Sequence, residues 1–179
     1  MSLNLAGTTL QRFFSGLSEQ VFEAELGVAD PPLIDYISQL LLRFLRMEGL
    51  QRMRALNGRP LSEVSEMVVE AEARIGDARR EAHRHIGDVA LFWTGLYPES
   101  LREHQSPDKK DHFIDYCEQG KRAYYIASRI NTEREETPAE LLERLSRNFD
   151  LCAYGLREIR REWERRDEDE DHPRPILLG

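Results

Sequence analysis

The stretch EAHRHIGDVALFWTGLYPES, residues 81–100, holds the side chains whose types and spacing could do chemistry. On a helix, Glu81, Arg84, His85, Asp88, Phe92 and Gly95 fall along one stripe at spacings of three and four. Carboxylates and an imidazole in that register could offer oxygen and nitrogen ligands to a metal, or an acid–base pair. The same register also builds an ion-pair stripe, with Arg84 or His85 neutralising Glu81 and Asp88 as the helix enters a core. Two features favour the ion pair. A cation within the stripe works against a set of metal ligands. A buried Asp also needs a partner, which Arg84, or Arg43 from an earlier helix, can supply.

Other constellations are weaker. A di-iron bundle needs Glu three residues before a ligating His. The positions three before the five histidines are Arg80, Ala82, Leu101, Lys109 and Asp169, so the pattern is missing. His83 and His85 point about 200° apart on a helix, which leaves His83 expected at the surface. Asp108 and His112 read as a solvated pair in a first turn. There is no G-x-S-x-G, P-loop or G-x-G-x-x-G run. Cys117 and Cys152 sit among apolar neighbours and read as inert packing in a reducing compartment. The aromatics Phe92, Trp93, Tyr97, Tyr116, Tyr124 and Tyr125 read first as core. Buried tyrosine hydroxyls would then need acceptors, and Asp88 is one candidate.

Helices must position these groups. Phe13 to Leu26 suggests a short helix ending at Gly27. "ADPP" announces the next, with Asp30 as cap and proline in the first turn, and Gly49 as its stop. "NGRP" is a turn, and a helix begins near Leu61 or Ser62. Its seam, Val64, Val68, Ala71, Ile75, continues in phase through Ala78, Ala82, Ile86, Val89, Trp93 and Leu96, with a kink or a break at Gly76. "YPES" ends it. Ser106 and Pro107 start another helix, whose face is Phe113 to Ile130. Gly120 on that face marks a close approach or a short break. "TPAE" gives a capping box of Thr137, Pro138 and Glu140 ahead of one helix from Leu141 to Trp163.

No segment alternates with period two, so the chain is expected to be all-α: a single-domain bundle of five or six mostly antiparallel helices over residues 1–166. Residues 167–179, "DEDEDHPRPILLG" with the acids first, are expected to form a disordered tail. The net charge of −8 disfavours nucleic acid and anionic membranes as partners. The run Val89 to Tyr97 is too short to span a bilayer. With no leader evident in the first residues, the expected compartment is the cytoplasm.

"HIGDVALFWTGLYPESL" followed by "DYCEQGKRAYY" resembles a group of uncharacterised bacterial all-helical proteins. The resemblance rests on Gly87, Asp88, Gly95, Ser100, Leu101, Gly120, Ala123 and Tyr124. It implies no activity, and it places Asp88 at the fold's centre.

These readings lead to a non-enzymatic protein that binds a protein partner or itself, with no cofactor, no metal and no catalytic residue. The alternative is a bundle that binds a small ligand or a metal, with Glu81, Arg84, His85, Asp88 and Tyr124 as its site.

Overall fold

The computed structural model describes residues 2–46, 63–103, 112–134 and 136–169. Among them every regular element is helical. α1 (Ser2–Glu19) passes through a π-helical turn (Gln20–Glu25) and ends at Gly27, whose φ of 68° needs a residue without Cβ. α2 (Pro31–Leu45) is capped by Asp30, which accepts from the Leu33 amide at 3.3 Å, with proline at its start as expected. α3 (Val64–Glu72), α4 (Gly76–Leu96), α5 (Pro98–Glu103), α6 (His112–Arg129), α7 (Ala139–Arg147) and α8 (Phe149–Asp169) complete the chain.

Eight helices among the described residues exceed the five or six expected, and three places in the chain account for the difference. The first is Gly76, where a kink and a break were both open: it adopts φ 58° and breaks the chain into α3 and α4. The in-phase seam fails there: Ile75 is 87% exposed and Ala78 is also exposed. The second is the short α5, which Pro98 opens directly after α4 ends at Leu96, the end that "YPES" marks. The third is Asn148, which separates α7 from α8 where one helix was expected. Asn148 leaves helical geometry for one residue, yet Cys152 still donates to its carbonyl at 2.9 Å, so the apolar phase survives the interruption.

The capping box does not form. Pro138, not Thr137, is the N-cap residue of α7, and no side chain caps it. α8 continues three residues beyond Arg166 to Asp169, into the stretch expected to be tail. The stop at Gly49, the turn at "NGRP", the Ser106 start and the Asp108–His112 pair involve residues outside those described.

α4 is the central element. α2, α3, α6 and α8 all pack on it, and 14 of its 21 residues are buried, so it has almost no solvent face. That overturns the exposure expected for His83, which is 1% exposed. α3 folds back over that face, and Glu72 comes within 3.3 Å of the His83 Nε2. Close packing on α4 depends on small residues. A Cβ at Gly87 would stand 2.6 Å from the Tyr124 ring. At Gly120 it would meet the Phe149 ring at 2.5 Å and the Ala90 Cβ at 2.8 Å, so that glycine serves close approach and the helix around it is unbroken. At the far end of α4, Arg160 of α8 donates to the Leu96 carbonyl and to Glu99, neutralising the helix's C-terminal carbonyls.

Candidate functional site

Asp88 is wholly buried, and its carboxylate is saturated. Oδ1 accepts from the Tyr36 hydroxyl at 2.5 Å and the Tyr124 hydroxyl at 2.7 Å. Oδ2 accepts from Arg43 Nη2 and Arg84 Nη1, each at 3.2 Å. A carboxylate offers about four lone-pair positions, and here each has a donor. The donors come from α2, α4 and α6, so one side chain ties three helices. Arg84 in turn grips Glu81 through Nε and Nη2, and its Nη1 also donates to the Tyr36 hydroxyl at 3.3 Å.

The sequence places each member. Asp88, Arg84 and Glu81 share the α4 stripe. Tyr36 and Arg43 are seven residues apart on α2, two turns along one face. Gly87 lets the Tyr124 ring lie flush on α4 so that its hydroxyl reaches the carboxylate. Four of the five residues proposed from the sequence thus meet in one network. The fifth, His85, is buried and stacks on Phe44, with ring centroids 6.2 Å apart. Tyr36 was missed. Its signal was the Tyr36–Arg43 spacing, which gains meaning only once α2 is known to lie on α4.

Electrostatics follow from burial and charge. Burial raises the ionisation of Tyr36 and Tyr124 well above the ordinary tyrosine value, and the Asp88 charge raises both further. Burial opposes the charge on Arg84, but Asp88 and its hydrogen-bond partners outweigh that and hold the guanidinium firmly protonated. A carboxylate so enclosed has no open position for a metal, and it cannot take a substrate's proton without shedding a donor. Among the described residues, no three His, Cys, Asp or Glu side chains converge as a metal-ligand set.

The aromatic run divides. Phe92, Trp93 and Tyr97 pack together at 5.7 Å with edge or tilted geometry, and Phe44 stacks on Phe92 at 4.9 Å. Tyr124 serves Asp88. Tyr125 is exposed beneath the Arg129 guanidinium. Cys152 is packed in the core, and burial pushes its thiol up to about 12, which makes it a poor nucleophile.

No family model, curated protein or solved structure matches this chain.

A surface cleft of about 630 Å³ opens beside the buried network. Tyr36, Arg43 and Arg84 form part of its lining, with Gln39 from α2 and Glu136 and Arg144 from the α7 side. Arg144 is held by Asp30 at 2.7 and 3.2 Å. The same arginines that satisfy buried or half-buried acids therefore line an open cleft. No described helix is long and apolar enough to cross a membrane.

Proposed function

We infer that this protein is a non-enzymatic binding domain, and that its cleft receives a small polar ligand carrying a carboxylate or similar anionic group. One observation carries the reading: Arg43 lines the cleft, is fixed by Asp88 through a single nitrogen, and keeps its other donors. Arg144 likewise spends Nε and Nη2 on Asp30 and retains Nη1. Arginines held in advance lose little rotamer freedom when a ligand arrives, so more of each new hydrogen bond appears as affinity. The saturated state of Asp88 supports binding over catalysis, because the acid is committed to holding Arg43 and Arg84. Asp35, Glu136 and Glu140 on the same walls favour a ligand with amine or hydroxyl groups beside its anionic one.

Calorimetric titration with a panel of small amino-carboxylates, dicarboxylates and simple monocarboxylates tests this. Saturable binding that weakens at least tenfold in Arg43→Gln, measured below that variant's own melting transition, is expected. A panel with no saturable binder, or one indifferent to Arg43 and Arg144, would overturn it.

A second reading, association with a protein partner or a second copy, is favoured by Val69 and Ile75, which are 72% and 87% exposed on α3 and the turn that follows. Light scattering over a concentration series, repeated on Ile75→Lys, addresses it. A mass that rises in the native chain and stays flat in the variant supports the reading; two flat series remove it.

A further inference from the structure

A second pocket, of about 350 Å³, adjoins the start of α7. Arg80, Ser128, Asn131, Thr132 and Thr137 line it, with Glu140 at its edge. Arg80 is the anomaly. It is only 3% exposed, yet no ion pair joins it to a carboxylate among the described residues. Its one hydrogen bond runs from Nη2 to the Thr137 carbonyl at 2.6 Å, and its Nε has no partner. Buried arginines are ordinarily paired, because an uncompensated charge away from water is costly. All the other buried or half-buried arginines of the cleft region obey that rule: Arg43 and Arg84 on Asp88, Arg144 on Asp30.

The surroundings supply what an oxyanion needs. α7 begins here without a side-chain cap, so the amides of Ala139 and Glu140, its first two helical residues, have no intrahelical acceptor. Unspent amides at a helix start, with the positive end of its dipole, form a ready anion site. Thr137 and Asn131 add side-chain donors to the lining. Among the described residues that line the pocket, Glu140 is the one acid, and it is exposed.

We propose that this pocket binds a phosphate group, held by the Arg80 guanidinium and the first amides of α7. A planar, forked donor set that shares a pocket lining with the start of a helix suits a tetrahedral anion with several oxygens. The volume exceeds what bare phosphate fills, so the group can arrive on a small organic ester. Arg43, Arg84 and Arg144 do not line it, although Thr137, Pro138 and Glu140 border both this pocket and the larger cleft.

The full-length protein, titrated at constant ionic strength with inorganic phosphate, glycerol 3-phosphate and acetate, tests the proposal by calorimetry and melting temperature. Phosphate or its ester should bind saturably and raise the melting temperature, while acetate should not. An ester tighter than inorganic phosphate assigns an organic phosphate; equal affinities assign the free anion. Arg80→Gln should weaken binding at least tenfold, and Arg161→Gln, an exposed position on α8, should leave it within twofold. Because Arg80→Gln alters a buried position and can fail to fold, Glu140→Gln provides the second arm: removal of the rim charge should tighten binding severalfold. No saturable phosphate binding, equal binding of acetate, or affinity indifferent to the Glu140 charge would each overturn the proposal.

Discussion

The Tyr36 hydroxyl lies 2.5 Å from an Asp88 oxygen, although the two residues are 52 positions apart and on different helices. That bond, with its counterpart from Tyr124, makes the buried acid a fastening between helices.

Removal of the acid strands its donors. Asp88→Ala leaves two guanidiniums and two hydroxyls facing an apolar gap. The loss should be about 3 kcal/mol, the low end for a broken buried pair, because Arg43 is partly exposed and can turn to water. Urea denaturation followed by far-ultraviolet dichroism measures it. A variant as stable as the native chain would mean that Asp88 is kept for something other than architecture.

The two tyrosines should titrate late. Both favour the neutral phenol when folded, whereas the unfolded chain ionises near the ordinary value of 10. The folded state therefore binds more protons above about pH 10, and its stability is full below that pH and declines above it. Absorbance at alkaline pH should show tyrosines that ionise only with unfolding. Tyr124→Phe should lower stability at neutral pH by about 2 kcal/mol, as for a lost bond to a charged group, and should flatten the alkaline decline. A full tyrosine signal in still-folded protein would contradict this.

His83 sets an opposite, acidic dependence. Burial lowers its ionisation below the ordinary 6.5, and Glu72 offsets this only in part. Below about that pH the unfolded chain takes up a proton that the folded chain refuses, so stability falls as pH drops. Denaturation midpoints of the native chain and His83→Gln, compared between about pH 8 and pH 5, should converge toward the acid end. Parallel curves would show that His83 does not contribute.

Gly87 tests the packing beneath the network. A methyl group there would force the Tyr124 ring off α4 and pull its hydroxyl from Asp88. Gly87→Ala should cost about 2 kcal/mol, despite its better helix propensity, as overpacking does. The double variant with Tyr124→Phe should cost less than the sum of the two, because both damage the same bond.

What the sequence revealed was local. Asp30 ahead of two prolines marks the start of α2, and the Glu81–Arg84–Asp88 spacing foretells an ion-paired stripe, because both depend on residues within two helical turns. What it hid was decided by distant chain. His83 reads as a surface residue until α3 folds back over it. Tyr36 has no visible purpose until α2 lies beside α4. Asn148 escapes notice because a one-residue interruption leaves the apolar repeat in phase, and Thr137 promises a cap while its carbonyl is instead taken up by Arg80.

Thr137, Pro138 and Glu140 border both the large cleft and the Arg80 pocket. A guest that shifts this shared partition on one side alters the shape offered on the other. Thermodynamic linkage makes such cross-talk mutual: whatever factor the first guest imposes on the second's affinity, the second returns in equal measure.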